Sequence, residues 1–382
     1  MTPHDTLTPS ELQQQGWYDD AGRWHEKPKA PNPAEQPASP PAPDVTEPAT
    51  SRPEPSAARL TRAQWRAQAI PTEGFRGFLY RATGGAINLG PSKTQIDRLE
   101  AERRAQAERE ANEVRRMQRR AECIARMDRG FKLVRITVGQ TKGGIGKTTN
   151  TIAIGKAFAK NCRLQVTAVD ANPDRGNLAD RVGKEATTTI RDLIDNIDDI
   201  TGVNTLRGYL SQDKSRLEVL ASDDNPVVRR ALTQEEYHRV QDLLATYRQM
   251  ILTDTGTDTT AAVLPAIMER TDVLVIAADV TAAGRKFTGE VLELWEQQAP
   301  GGADLVRRAV VSVRLPARPL DTRQLEEAIA PFRDRVAAVV AIPFDPHLDL
   351  EAGEDGIFDW DALHPETQDA YLELCAAVAD QA

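Results

Sequence analysis

The sequence predicts an α/β domain with a doubly wound, mostly parallel β-sheet, and three observations support this fold class. First, apolar runs rich in β-branched residues recur after Gly130, and such nearly continuous runs are typical of strands buried on both faces. Second, longer mixed segments that fit helices separate the runs, and third, the first run leads into a glycine-rich turn. The predicted strands are Leu133–Val138, Leu164–Val169, Leu217–Leu220, Met250–Leu252, Val273–Ala277, Ala309–Val313 and Ala337–Ile342.

Composition divides the 382 residues into three parts. Residues 1–57 are predicted to be a disordered tail, since residues 28–55 are rich in Pro, Ala, Glu and Ser and have almost no large apolar side chains to bury. Within this tail, residues 16–25 hold two Trp and a Tyr around a turn signal, which suggests a small hairpin, a docking peptide or an incidental apolar segment. Residues 58–130 are predicted to be a basic helical region, and residues 131–382 the α/β domain.

The net charge of −9 is distributed unevenly along the chain. Residues 1–50 carry −5, residues 51–130 carry +7, and residues 131–382 carry −11. Non-specific DNA binding comes mainly from Lys and Arg on phosphates, so we expect the acidic α/β domain to bind no DNA by itself. The basic middle region could do so.

The first part of the middle region alternates aromatic and basic side chains between Ala57 and Tyr80. This pattern predicts short basic amphipathic helices, interrupted at Pro71 and ended near Gly84 and Gly85. Such a face suits DNA phosphates, an anionic bilayer surface or an acidic partner, and it equally suits an ordinary packed helix.

One long helix is predicted over residues 92–129, beginning at a Ser92 cap. Its apolar positions extend for less than two heptads, which is too short to indicate a coiled coil. Beside them lie four arginines that form either a solvated charged face, the interpretation we favour, or a nucleic-acid contact. The apolar positions are Val114, Met117, Ala121 and Ile124, and the arginines are Arg115, Arg116, Arg119 and Arg120.

The cysteines and the hydropathy pattern exclude several classes of protein. Cys123, Cys162 and Cys375 are far apart with no CxxC spacing, so we interpret them as small buried apolar side chains. No run of about 18 apolar residues occurs, and the N-terminus has no signal-peptide pattern. These features predict a cytoplasmic protein without a transmembrane segment.

The first predicted strand runs directly into the glycine-rich segment 139–149, and a helix follows. In this context the backbone N–H groups of the loop and of the helix N-terminus point at a bound phosphate, which predicts a P-loop NTPase site for ATP and Mg²⁺. Lys147 is expected to reach the β- and γ-phosphates, and the Thr148 hydroxyl to hold Mg²⁺. The predicted nucleotide-binding residues of the loop are Gly143, Gly144, Ile145, Gly146, Lys147, Thr148 and Thr149.

The pattern KGGIGKT, with Lys142 five residues before Lys147, resembles the deviant Walker A motif of the MinD/ParA family of ATPases. In that family the earlier lysine reaches across a dimer interface to the nucleotide of the partner. The resemblance therefore implies a homodimer formed across ATP, with Lys142 and Lys147 both in catalytic roles.

Two further segments resemble elements of the same family. Residues 170–178 resemble switch I, and Thr253–Gly256 resemble Walker B with switch II. A carboxylate at the C-terminal end of a strand can hold a Mg²⁺-bound water and respond to the γ-phosphate. Asp170 and Asp254 are therefore expected to join Thr148 around the metal.

Switch I departs from the family at Asn172, which replaces the second aspartate of the motif, the residue that positions the attacking water. An amide can orient water but cannot accept its proton. Because phosphoryl transfer depends mainly on positioning and charge stabilisation, we expect hydrolysis to survive at a low rate. Asp170 or Asp174 could also take this role.

The segment Ala341–His347 resembles the I-P-x-D loop that borders the adenine and ribose in this family. The resemblance assigns Pro343 and Asp345 to nucleotide binding, together with Arg314 at the end of the preceding strand. Asp345 and His347 fit equally well as ordinary turn residues.

Within the family, the chain most resembles the EspI-like ATPases linked to type VII (ESX) secretion in actinobacteria. The resemblance rests on residues 87–92, on residues 180–183 and on the Pro-rich tail. The acidic final segment lacks Lys and Arg, which disfavours a C-terminal membrane helix of the MinD type. Absence of paired cysteines excludes the nitrogenase iron protein and the iron–sulfur carriers.

Two functions remain open. The protein could be a switch whose ATP-bound dimer regulates a secretion or conjugation machine, with hydrolysis as the reset, and we favour this function. Alternatively, it could be a ParA-like partitioning ATPase whose dimers bind DNA non-specifically through residues 58–130.

Overall fold

The computed structural model describes residues 16–18, 24–26, 64, 69–172, 177–183, 186–222, 232–258, 261–349 and 356–382. The chain falls into two compact units, Met1–Glu100 and Ala101–Ala382. Most of the tail predicted to be disordered lies outside the described residues.

In the first unit, β1 (Gly16–Tyr18) pairs antiparallel with β2 (Trp24–Glu26), with Gly16 opposite Glu26. This pairing is the small hairpin that the turn signal suggested. Helix α1 (Gly74–Ala82) ends just before Gly84 and Gly85, as expected, and both of these glycines have positive φ. The helix therefore stops where the backbone turns into a conformation that glycine adopts without strain.

The long helix α2 (Lys93–Met127) matches the predicted helix within two residues at each end. The Ser92 hydroxyl accepts a hydrogen bond from the Gln95 backbone N–H at 3.2 Å, which is the expected N-cap. The Gln95 side chain in turn binds Ile70 and Thr72, and it thereby ties the start of α2 to the segment before α1.

The predicted apolar stripe of α2 packs only at its end, where Ile124 is partly buried against the core of the second unit. Val114 and Met117 are 56% and 65% exposed, whereas Cys123 and Met127, nearer the end of the helix, are buried in the core of the second unit. The interpretation of the arginines as a solvated face is also wrong in part. Arg116 and Arg120 both pair with Asp369, at 2.8 and 3.1 Å, because an acidic helix packs alongside this part of α2.

The other described helices and strands all lie in the second unit, where strands and helices largely alternate along the chain. The strands are β3 (Val134–Gly139), β4 (Val166–Ala171), β5 (Ser211–Gln212), β6 (Glu218–Leu220), β7 (Met250–Thr255), β8 (Val273–Asp279), β9 (Val310–Arg314) and β10 (Ala338–Ile342). The α-helices are α3 (Lys147–Asn161), α4 (Ile190–Asp195), α5 (Val203–Arg207), α6 (Gln234–Tyr247), α7 (Leu264–Glu269), α8 (Ala282–Gln298), α9 (Gly302–Arg308), α10 (Thr322–Arg333) and α11 (Pro365–Ala379).

The strands β3 to β10 form one sheet in the order β10-β9-β8-β3-β7-β4-β6-β5. All neighbours pair in parallel except β5, which is antiparallel to β6 at the edge. The fold class is therefore the predicted doubly wound, mostly parallel sheet, and the seven predicted strands are all present. Sequence analysis missed β5, because its two residues give no apolar run.

Both faces of the sheet are buried, as the continuous apolar runs require. Val273 and Val275 of β8 face a core shared with α3 and α11, while Leu274 and Ile276 face a second core formed with α7 to α9. A third cluster of buried apolar side chains packs α4, α5 and α6 against β7. Successive side chains of a strand point to opposite faces, so both faces of the sheet are packed against helices.

The three cysteines are buried free thiols, as expected. Burial raises the pKa of Cys162 to about 11 and raises those of Cys123 and Cys375, so all three remain protonated at neutral pH. Across the described part of the chain, every helix is too short or too polar to cross a bilayer.

Candidate functional site

The carboxyl ends of the central parallel strands meet at one edge of the sheet and define the site. Strand β7 lies between β3 and β4, so that Asp254 is the register partner of Val138 on one side and of Asp170 on the other. The glycine-rich loop leaves β3 at this same edge and enters α3. Asp170, Asp254 and the loop are therefore neighbours, although they are far apart in sequence.

The loop backbone has the conformation that a phosphate cradle needs. Gly144 and Gly146 have φ values of 71° and 96°, a region that residues with a Cβ rarely adopt. Gly146 is also the N-cap of α3, so the first N–H groups of the helix open toward the loop. A bound anion would meet these donors and the positive end of the helix dipole.

Gln140 anchors the start of the loop and was not predicted. Its side-chain amide donates to the Ala277 carbonyl at 2.8 Å and to the Thr288 hydroxyl at 3.2 Å, and its carbonyl accepts from the Thr141 N–H at 2.7 Å. The side chain is buried. These bonds fix the start of the loop to β8 and α8.

Lys147 and Thr148 stand at the first turn of α3. Lys147 is only 8% exposed, and burial lowers the pKa of its ammonium although Asp254 opposes this change. The Thr148 hydroxyl donates to Asp254 Oδ2 at 2.6 Å. A buried ammonium beside a buried carboxylate is the arrangement expected of a site that neutralises phosphate charge.

The surroundings of the Asp254 carboxylate indicate whether Mg²⁺ fits at the end of β7. This carboxylate is buried, and its Oδ1 has no hydrogen-bond partner among the described residues. Burial raises its pKa to about 6, against the opposing effects of Thr148, Lys147 and Arg181. An oxygen without a partner next to a threonine hydroxyl matches the hard, oxygen-ligated cation Mg²⁺, so the residues present fit the predicted metal.

Asp170 is also buried at this edge, as predicted. Its Oδ1 accepts from the Asn172 N–H at 3.1 Å, and its Oδ2 accepts from the Leu178 N–H at 3.2 Å. The carboxylate thus holds both ends of the switch I segment. Asp174 lies outside the described residues, and its predicted catalytic role stays a prediction.

We expect Asp254→Asn to stabilise the nucleotide-free protein at pH 7.5 by about 1 to 3 kcal/mol, since it removes a buried charge whose pKa is raised. A raised carboxyl pKa means that the folded state binds more protons than the unfolded state. The contribution of Asp254 to the free energy of unfolding therefore falls as pH rises from about 4 through about 6.

Urea unfolding at pH 7.5 and at pH 4 checks this prediction. The gap between the variant and the wild type should be largest at pH 7.5 and should shrink at pH 4, where most of the wild-type carboxyl is protonated. A variant that is less stable than the wild type at pH 7.5 would show that ionised Asp254 is well compensated.

Lys142 has a partner that sequence analysis missed. Its ammonium lies 2.8 Å from Asp279 Oδ2, at the end of β8, within the same chain. Burial raises the pKa of Asp279, but hydrogen bonds from Lys142 and Thr281 outweigh it and hold the pKa below its usual value. A Cβ on Gly284 would lie 1.9 Å from Asp279 Oδ1, so this glycine makes room for the carboxylate.

The signal for Asp279 was present in the sequence. Like Asp170, it directly follows the apolar residues of a parallel strand, and Asp254 lies one residue further from its own apolar run. The predicted run ended at Ala277, two residues short of it, so this carboxylate was not considered.

On the other side of the loop, a small cavity adjoins the start of α3. Of the three residues assigned to nucleotide binding in this part of the chain, Arg314 lines the cavity, whereas Pro343 and Asp345 do not. The Asp345 carboxylate is fully buried and accepts the backbone N–H groups of His347 and His364, which lower its pKa although burial raises it. The residues lining the cavity are Ile145, Gly146, Thr149, Asn150, Ser312, Arg314, Ile342, Leu348 and Tyr371.

The structure therefore brings most of the predicted site residues together. Lys147, Thr148, Asp170 and Asp254 share one edge of the sheet, and Thr149 and Arg314 share the adjoining cavity. Lys142 is at the same edge but is held by Asp279.

Comparison with known proteins adds family relationships to this geometry. The model of the CobQ/CobB/MinD/ParA nucleotide binding domain matches residues 136–355. The ESX-1 secretion-associated protein EspI of Mycobacterium tuberculosis is 31% identical over 252 residues, which cover 64% of this chain and 36% of that relative. The chain thus spans little more than a third of the length of this curated relative.

Solved structures also match the chain. The cell division ATPase MinD of Pyrococcus furiosus is 16% identical, with 65% of this chain and 97% of that chain covered and a TM-score of 0.49. The septum site-determining protein MinD of Pyrococcus horikoshii, complexed with Mg-ADP, is 17% identical, with 64% and 94% covered and a TM-score of 0.47.

Proposed function

The chain belongs to the CobQ/CobB/MinD/ParA family of nucleotide-binding domains, and on this premise we propose that it is an ATP-dependent switch that dimerises around Mg·ATP and hydrolyses it slowly. The observation that carries this proposal is the pair of lysines flanking the loop. Lys147 is buried beside Asp254, whereas Lys142 is a third exposed and held by a surface carboxylate. Two lysines in such different settings suit two different tasks.

Within one chain, the loop would bind the phosphates through its backbone N–H groups, with Lys147 on the β- and γ-phosphates. Thr148 and Asp254 would hold Mg²⁺, which neutralises phosphate charge when bound. Asp170 would hold switch I in place through the N–H groups of Asn172 and Leu178. Each of these tasks uses a contact or a burial described above.

Lys142 would act on the nucleotide of the partner chain. It cannot do so while it is bound to Asp279, so dimer formation would exchange this ion pair for a contact with the partner's phosphates. The exchange costs little, because partly exposed ion pairs contribute only about 0.2 to 1 kcal/mol. The bond to Asp279 would thus keep Lys142 in place in the monomer without preventing its release.

Slow hydrolysis is proposed because Asn172 stands where the family has an aspartate. An amide orients water, but it does not take up the proton that the attacking water releases. Such a protein would spend most of its time in the ATP-bound dimer, which is the state that a partner would recognise.

We expect Asn172→Asp to accelerate single-turnover ATP hydrolysis by at least about 10-fold, since general-base catalysis contributes about 10²- to 10⁴-fold in suitable sites. Rapid-quench measurement on the preformed dimer tests this. Asp174→Ala is the companion variant. An unchanged rate in Asn172→Asp together with loss of activity in Asp174→Ala would transfer the role to Asp174.

For the biological role, we propose regulation of a secretion or conjugation machine from the cytoplasm, in line with the name of the EspI relative. The alternative, ParA-like DNA binding through residues 58–130, is less well supported, because acidic side chains of the second unit neutralise several arginines of α2. Arg116 and Arg120 pair with Asp369, and Arg126 pairs with Asp380. DNA binding that requires ATP and weakens with salt would favour the alternative.

A further inference from the structure

The loop after β10 and the start of α11 bring two imidazoles to one buried carboxylate. Asp345 is fully buried, while the side chains of His347 and His364 are 47% and 52% exposed. His347 Nδ1 lies 2.9 Å from Asp345 Oδ1, and His364 Nδ1 lies 3.7 Å from Asp345 Oδ2. One ligand atom from each residue lies within 4.8 Å of the other two.

We propose that Asp345, His347 and His364 bind a divalent transition metal such as Zn²⁺, at a site separate from the Mg²⁺ expected beside Asp254. Two imidazoles and one carboxylate form a donor set that suits Zn²⁺, Co²⁺, Ni²⁺ or Cu²⁺, whereas Mg²⁺ prefers oxygen alone. The proposal does not rest on the proposed function, since it requires neither ATP nor a dimer.

The separations between the imidazole nitrogens and the carboxylate oxygens are close to those of this class of metal. Bonds of about 2.0 to 2.1 Å in tetrahedral geometry place neighbouring ligand atoms about 3.3 to 3.4 Å apart. His347 Nδ1 lies 2.9 Å from Asp345 Oδ1 and His364 Nδ1 lies 3.7 Å from Asp345 Oδ2, on either side of this value. Both rings are about half exposed, so rotation about their side-chain torsions can bring one nitrogen of each toward a shared carboxylate oxygen.

The backbone already orients the carboxylate. Asp345 Oδ1 accepts the His347 N–H at 3.0 Å, and Oδ2 accepts the His364 N–H at 2.7 Å. Partners of this kind fix the direction of a ligand's remaining lone pairs. Pro346 and Pro365 occupy the first helical positions next to Asp345 and His364, which restricts the backbone around the cluster further.

A metal here would join two segments that border the cavity beside the loop. Leu348 directly follows His347, and Tyr371 lies two turns into α11 after His364, and both line the cavity beside the loop. A metal that cross-links these two segments would therefore make their side of the cavity, across from Ile145 and Gly146, more rigid. The competing explanation is a hydrogen-bonded turn in which His347 merely donates to Asp345.

Titration of the full-length, nucleotide-free chain with Co²⁺, after removal of metals by chelation, tests the proposal. We expect the visible absorption of His-ligated Co²⁺ to saturate at one equivalent per chain and to disappear on addition of Zn²⁺. His347→Ala and His364→Ala should each weaken binding by at least about 100-fold, since even outer-shell changes cost about 10- to 100-fold.

His238→Ala is the matched control. His238 also faces a carboxylate, with Nε2 3.2 Å from Glu269, but among the described residues no second imidazole joins this pair in a metal-binding cluster. Its loss should leave Co²⁺ binding unchanged. His364→Gln, with the fold checked by circular dichroism, serves if His364→Ala does not fold. Absence of one-equivalent binding in the wild type, or binding that survives both His347 and His364 substitutions, would overturn the proposal in favour of the hydrogen-bonded turn.

Discussion

Replacing Lys147 with alanine is expected to weaken ATP binding by about 10- to 100-fold. The ammonium is 8% exposed and lies at the first turn of α3, beside the buried Asp254. A hydrogen bond to a charged group contributes about 1.5 to 3 kcal/mol, and each 1.4 kcal/mol is a factor of about ten in affinity. The variant also leaves Asp254 without its nearest positive charge, which opposes the approach of phosphates.

Calorimetric titration of each protein with ATP in excess Mg²⁺ measures this effect. The matched control is Lys160→Ala, because Lys160 is on the same helix but pairs with Asp361 at the surface. We expect Lys160→Ala to bind ATP as the wild type does. If Lys147→Ala retained affinity within about threefold, the loop would not be the phosphate site.

The second large effect is expected for Lys142→Ala, which should abolish the ATP-dependent dimer and leave ATP binding to the monomer within about threefold of the wild type. The reason is geometric, since Lys142 is held by Asp279 rather than turned toward the loop of its own chain. Sedimentation in saturating Mg·ATP measures dimer formation, and calorimetry measures binding.

Asp279→Asn separates the two tasks of Lys142. It removes the partner in the same chain while the lysine itself remains, so we expect half-maximal dimerisation at an ATP concentration about 2- to 5-fold lower. If Lys142→Ala instead lost ATP binding in the monomer, Lys142 would serve its own nucleotide. Wild-type dimerisation by Lys142→Ala would exclude the proposed role in the partner's site.

The strands and the phosphate loop were predictable because their signals are local. A parallel strand covered on both faces needs a continuous apolar run, and a phosphate loop needs glycines at fixed offsets between a strand and a helix. Asp170 and Asp254 were assigned from the resemblance to switch I and Walker B, and each also lies at the end of such a run. Their direct pairing across β4 and β7 then came from the strand order.

The contacts that were not predicted join residues distant in sequence. The bond between Lys142 and Asp279 depends on β8 lying next to β3, and the sequence alone does not give the strand order. Similarly, the apolar residues of α2 that are buried are Cys123 and Met127 rather than Val114 and Met117, and the local pattern does not distinguish the two pairs. The approach of His364 to Asp345 depends on how the chain returns to the sheet after β10.

The mass of the wild-type chain in solution, with Mg·ATP and with Mg·ADP, tests the proposed switch most directly. We expect the 42.0 kDa chain to be monomeric with Mg·ADP and to double its mass with Mg·ATP, since ATP offers a γ-phosphate to Lys142 of a second chain and ADP does not. A chain that stays monomeric in saturating Mg·ATP, or that forms the same dimer without nucleotide, would contradict an ATP-dependent switch.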